Sequence, residues 1–400
     1  MMFIGVFARI KSIKRRYYQM TDNPLLQLKP LEQSVWYDNI DRGQLVSGQF
    51  KRLLDEDGVS GVTANPTIFQ KSISQGQAYD EQVTKLIKAG KSTSDIYEAL
   101  IIQDIQTVAD MLHTIYETTN GQDGFVSLEV SPDLAHNTEG TLAEVRRFWK
   151  MVNRPNLMIK IPGTPEGIPA VQQALTEGIN VNITLIFSID DYRQVAEAYI
   201  TALEERNAAG QDISHIASVA SFFVSRVDTL VDKLLEDKIK ATNDKTEQQK
   251  LKSLEGKAAV ANARLVYEEF KHIFGTPRFE TLRHSGAHVQ RPLWASTSTK
   301  NPAYRDVLYA EELIGPNTVD TMPLETVEKF RDHGRVILTV ENDLPQARAV
   351  IEALEQVGIH YDQVTKQLQD EGVQKFADSF HELFQGIEQK KQAIEQQVAH

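Results

Sequence analysis

The 400-residue sequence contains no cysteine. That excludes a disulfide framework, a thiolate zinc site and a cysteine nucleophile. No apolar run approaches the roughly 18–20 residues that span a bilayer. Histidine is sparse, with ten residues and no His-Glu-x-x-His pair. His272, His284 and His288 could conceivably gather, but their spacing is not that of metal ligands, so surface positions and no metal site are expected. A Walker loop, a Gly-x-Ser-x-Gly nucleophile turn and a glycine-rich dinucleotide fingerprint are also missing. So is an excess of positive charge: the formal net charge is -12 and the pI near 5.4. Such a surface repels nucleic acid and anionic membranes, and neither is expected as a partner. A phosphate site would have to gather cations locally, against the average field.

What is present is an ordinary globular composition, 41% hydrophobic and 24% charged, with ample material for a large core. The first nineteen residues carry Arg9, Lys11, Lys14, Arg15 and Arg16 and no acid. Their charges follow the apolar stretch instead of preceding it, the reverse of a secretory signal. A start-site artefact or a disordered arm is expected for 1–19, with Met20 as the natural start.

From residue 34 short β-rich runs alternate with longer helical patterns. The runs are 34–40, 61–66, 125–130, 156–162, 180–187, 214–223, 292–296 and 318–323. Most are continuously apolar or β-branched, as in parallel strands covered on both faces. Helices are expected after Ser94, after the turn at 137–140 and after Ser188. Eightfold alternation predicts an α/β fold, a (β/α)8 barrel over 20–335. An open doubly wound sheet is the alternative. The polar stretch 241–256 reads as a solvated excursion. Residues 336–400 read as a helical extension, with a long helix from about Asp362 carrying Val373, Phe376, Phe380, Leu383 and Phe384 at helical spacing. Packing across the barrel is expected of it; partner binding is the other reading.

In such barrels the active site lies at the C-terminal ends of the strands. Eight polar residues interrupt those ends: Asp38, Asn65, Glu129, Lys160, Asn182, Thr184, Ser221 and Ser296. A buried polar group must be paired or it costs a few kcal/mol, so eight on seven strands suggest a lined pocket. Lys160, in Met-Ile-Lys-Ile-Pro, is the sharpest. It could reach solvent or pair with a barrel carboxylate. It could instead be an amine that attacks a carbonyl, for which it must be neutral near pH 7, about three units below its ordinary value, a differential of roughly 4 kcal/mol. Imine chemistry also needs proton shuttles, and Asp38 and Glu129 qualify, with a structural salt bridge to Lys160 as the alternative for each. For phosphate, Arg226 near a helix start and Ser296, Ser298 and Lys300 after the seventh strand are candidates. A surface ion pair is the competing reading for Arg226.

At these residues the chain resembles the transaldolase family. The segments SVWYDNIDR, GVTANPTIFQKSI, VSLEVSPDLAHNTEGT, LMIKIPGTPEGIPA, GINVNITLIFS, SVASFFVSRVD and LWASTSTKNPAY carry the likeness, over nearly all of residues 31–335 and in family order. Their spelling is similar to the longer bacterial form, within the Schiff-base aldolase superfamily. The resemblance implies Lys160 as the imine-forming lysine and Asp38 as the acid/base at the donor's C4 hydroxyl. It implies Glu129 acting through a water that Thr184 holds. Asn65, Asn182 and Ser221 would bind a dihydroxyacetone unit, with Thr63 beside them in the Thr-Ala-Asn-Pro-Thr motif. Arg226 and Ser296 would bind phosphate. Where the family commonly has a second arginine this chain has Ser298, and Lys300 is expected to supply the charge. The implied reaction moves dihydroxyacetone from sedoheptulose 7-phosphate or fructose 6-phosphate to glyceraldehyde 3-phosphate or erythrose 4-phosphate, in the non-oxidative pentose phosphate pathway. No cofactor is implied; the partners are small sugar phosphates, the location cytoplasmic and the oligomeric state monomer or homodimer. An aldolase on the same scaffold and a catalytically silent sugar-phosphate binder are the rival readings.

Overall fold

The computed structural model describes residues 22–75 and 77–398; the basic segment 1–19 lies outside them. Eight parallel strands close into a barrel in chain order. They are β1 (Gln33–Tyr37), β2 (Gly61–Val62), β3 (Val126–Glu129), β4 (Leu157–Pro162), β5 (Val181–Ile186), β6 (Ser218–Phe223), β7 (Arg291–Ala295) and β8 (Thr318–Met322). β8 pairs back onto β1, from Gln33 opposite Thr318 to Tyr37 opposite Met322. Helices follow the strands, so the chain forms a (β/α)8 barrel and not an open sheet.

Two strands are shorter than their sequence patterns by four residues, more than any other. β2 stops at Val62 because Asn65 and Pro66 already open the helix Pro66–Gln75. Proline suits a first helical turn, where its missing N–H has no partner to lose. β6 begins at Ser218, four residues after the pattern does. Helix starts follow side-chain caps. Thr93–Thr118 is capped by Ser92, not by Ser94: the Ser92 hydroxyl accepts from Asp95 N and the Asp95 carboxylate accepts from Ser92 N. Ser188 and Asp191 form the same box on Ile189–Ala208, and Asn137 caps Thr138–Val152. The stretch 241–256 is not wholly irregular: Asp244 caps the helix Lys245–Lys252, which is mostly exposed but buries Leu251.

The N-terminal end of the barrel is tied by polar contacts. The Asp123 carboxylate accepts from Trp36 Nε1 (2.7 Å) and from Ser60 Oγ (2.8 Å). Arg291 donates to Ser34 Oγ and to the Thr318 carbonyl. Gly61 lets the Trp36 indole lie against β2: a Cβ there would sit 2.4 Å from the ring.

After the last barrel helix come Leu344–Gln356 and Tyr361–Val398. The second, 38 residues and about 57 Å long, crosses the C-terminal mouth of the barrel. Its Phe380 and Phe384 pack on Tyr97 at 5.6 and 5.0 Å between ring centres. Ser379 hydrogen-bonds Thr67, and Gln369 Nε2 donates to the Gly163 and Leu185 carbonyls. Among the described residues no helix is long and apolar enough to cross a membrane.

Candidate active site

β3, β4 and β5 bring Glu129, Lys160 and Asn182 into one row: Glu129 pairs in register with Lys160, and Lys160 with Asn182. All three are buried, Lys160 at 4% exposure. The Lys160 ammonium donates to the Ala64 carbonyl (3.2 Å) and stands 3.1 Å from Glu129 Oε2. That second contact is close in distance but not aligned as a hydrogen bond, so Oε2 keeps an open acceptor. Thr184 Oγ1, on β5, is likewise buried without a hydrogen-bond partner. Asn182 spends its amide on the protein: Oδ1 accepts from Ser221 Oγ (2.6 Å), and Nδ2 donates to Ser127 Oγ (3.0 Å).

Asp38 lies just past β1, its N–H donating to the Met322 carbonyl. Its Oδ1 accepts from Thr63 Oγ1 (2.6 Å), and Thr63 is also 2.7 Å from Thr321 Oγ1. Some of the Asp38 surface opens to the cavity, yet protein crowds the carboxylate closely. Loss of solvation pushes both Asp38 and Glu129 above the usual carboxylate range, and the Lys160 charge pulls each back.

Above this row opens a cavity of about 770 Å³. Of the expected residues, Asp38, Thr63, Asn65, Lys160, Thr184, Ser221, Arg226, Ser296 and Lys300 line it. Glu129 and Asn182 flank Lys160 on the neighbouring strands and do not line the cavity. Asn65 uses its Oδ1 to accept from Ile68 N, and its Nδ2 has no protein partner among the described residues. Arg226 makes no ion pair among the described residues. Its guanidinium lies over the rings of Phe223 (4.8 Å) and Phe376 (5.9 Å). Lys300 donates to Ser298 Oγ (2.6 Å). Ser296 holds a left-handed backbone, φ 58°, braced by Ser225: its carbonyl accepts from Ser225 N and the two hydroxyls are 2.9 Å apart. Leu185 at φ 60° lies within the register shift between Ile183 and Ile186 in β5. Such conformations cost of order 1–3 kcal/mol and gather where surrounding structure imposes them.

Sequence reasoning missed part of this wall. Thr321 and Phe223 come from β8 and β6, and Lys71 and Lys233 from helices behind the strands. Gln367, Leu368, Glu371, Lys375 and Phe376 come from Tyr361–Val398. The signal for the last group was Gly372, an isolated glycine inside a long helix, which marks close approach. A Cβ there would lie 2.8 Å from Leu185 Cδ2. Among the described residues no group of histidines and carboxylates could hold a metal ion. His272 and His284 are exposed, and His288 is half-buried well apart from the cavity.

A primary amine shielded from water, with carboxyl groups on two sides and a cation-lined cavity above, can condense with a carbonyl and move the protons that follow. The class is a barrel enzyme built for amine–carbonyl chemistry. Residues 35–387 match the family described as Transaldolase/Fructose-6-phosphate aldolase. The chain is 47% identical over 373 residues to the transaldolase of Trichodesmium erythraeum, covering 93% of this chain and 98% of that one. It is 47% identical over 369 residues to the transaldolase of Thermobifida fusca, covering 92% and 98%. It is 46% identical over 374 residues to transaldolase 2 of Nostoc punctiforme, covering 93% and 98%. The chain therefore belongs to the transaldolase/fructose-6-phosphate aldolase family, and it is a group transferase of the transaldolase type.

Proposed function

We propose that Lys160 carries dihydroxyacetone from a ketose phosphate, fructose 6-phosphate or sedoheptulose 7-phosphate, to an aldose phosphate. The observation that supports this reading best is Lys160 itself, 4% exposed at the floor of the cavity with Glu129 Oε2 3.1 Å away. Burial that favours neutral carboxyls gives the amine's proton somewhere to go. The Nζ lone pair adds to the C2 carbonyl. Water then leaves C2 with a proton relayed from Glu129, and we take the relay to be a water between the open Glu129 Oε2 and Thr184 Oγ1. Asp38 removes the proton of the C4 hydroxyl. The C3–C4 bond breaks, its electron pair moves into the iminium, and the phosphorylated aldehyde departs. The enamine then attacks the incoming aldehyde, and the steps run in reverse. Asn65 Nδ2 and Ser221 Oγ face the three-carbon unit, with Thr63 holding Asp38. Asn182 orients Ser221. Arg226, Ser296 and Lys300 face the phosphate. Phosphorylated sugars do not cross membranes unaided, so a cytoplasmic location goes with this reading.

The rival is an aldolase that releases the unit to water. With fructose 6-phosphate alone, free dihydroxyacetone is expected to stay below one-tenth of the rate of transfer seen once erythrose 4-phosphate is added. Sustained release at the transfer rate would overturn the transferase reading.

A further inference from the structure

The chain carries a net charge of -12, yet besides Lys160 its main cavity gathers five basic side chains, Arg226, Lys300, Lys71, Lys233 and Lys375. Only two carboxylates share that wall, Asp38 and Glu371. Among the described residues none of the five makes an ion pair, whereas Arg278 pairs with Glu197 and Glu204 and Arg305 with Glu311. Unmatched like charges around a partly desolvated cavity repel one another, and an anion entering it relieves that repulsion.

Lys375 differs from the others in what holds it. It stands three residues after Gly372, on the same face of the C-terminal helix. At Gly372 the helix backbone lies against Leu185 and Arg226: a Cβ there would be 3.5 Å from Arg226 Nη1. One turn earlier Gln369 clamps the helix to the carbonyls of Gly163 and Leu185. One residue after Lys375 the Phe376 ring covers both Lys160 (5.6 Å) and Arg226 (5.9 Å). The helix is thus fixed at two depths, with Lys375 between an anchor and the roof of the site. Burial, together with the charges of Arg226, Lys300 and Lys71, pushes the Lys375 ammonium below the ordinary lysine range, as expected of a cation facing other cations.

We propose that Lys375 binds the phosphate of the sugar, together with Arg226 and Lys300. The C-terminal helix is then part of the substrate site and not a cover for the barrel alone. This rests on the function proposed above, so its test has two arms. In the first, inorganic phosphate is titrated into wild type, Lys375→Met and Lys375→Arg by calorimetry. The Kd is expected to rise about tenfold in the methionine variant and to recover in the arginine variant. In the second, kcat/KM is measured for erythrose 4-phosphate and for unphosphorylated D-erythrose. The ratio of the two is expected to fall about tenfold in Lys375→Met, mostly through KM. An unchanged phosphate Kd, or a loss equal for both acceptors, would overturn the assignment, because a packing role weakens both alike. If wild type transfers nothing but still binds phosphate about tenfold more tightly than Lys375→Met, the anion site stands and the transfer reaction is what fails.

Discussion

Lysine in the middle of an apolar strand is the residue whose placement was most legible from sequence, because burying an unpaired ammonium is costly and demands a reason. The same physics exposed Asp38 and Glu129. It could not say how far each reaches. Glu129 and Asn182 share the row of Lys160 yet do not line the cavity, since side-chain direction depends on barrel tilt and stagger, which a linear pattern does not contain. Thr321 escaped notice because threonine is an ordinary strand residue; its role shows only in its contact with Thr63. The distinct position of Asp38, hydrogen-bonded to Thr63 and apart from the Glu129–Lys160 contact, separates two steps. Asp38→Asn is expected to lower kcat by about 10²–10⁴ while leaving the lysine able to form an adduct with fructose 6-phosphate. Single-turnover trapping beside steady-state rates checks this; joint loss of adduct and turnover would contradict the division of labour.

At the scale of elements, strand and helix positions followed from periodicity and caps, and two of the errors lay where a proline or a better cap intervened, at Pro66 and Ser92. The C-terminal helix was legible as a helix but not as a wall of the site. Its apolar periodicity says that one face is buried; it cannot say that the burial is over Lys160 and Arg226. Gly372 is where that packing is decided. Gly372→Val puts a branched Cβ into Leu185, itself buried and held at positive φ. The expected cost is about 1–3 kcal/mol in urea unfolding, with a lower kcat/KM as the helix lifts from the cavity. Unchanged stability and unchanged kinetics would show that the helix is not seated as described.

For the molecule as a whole, pH sets stability through carboxyls buried without cations. Burial pushes Asp320, whose Oδ1 accepts from Thr297 while Oδ2 has no partner, up to about 7, and Asp228 also to about 7. Unfolded, each titrates near 3.8. Between these values the unfolded chain has lost a proton that the folded chain keeps. Their contribution is therefore fully present below about pH 4 and lost as pH rises toward 7. Asp320→Asn removes one such group, and its stability-versus-pH slope should lie above that of wild type by up to about 1.4 kcal/mol per unit between pH 5 and 7. Urea unfolding at three pH values checks it, and parallel curves would contradict it. The central claim concerns one bond. Wild type incubated with fructose 6-phosphate and reduced with borohydride should gain the mass of a reduced three-carbon or six-carbon adduct, mapping by peptide mass spectrometry to Lys160 and absent from Lys160→Ala. An adduct on another lysine, or undiminished trapping in Lys160→Ala, would contradict the account.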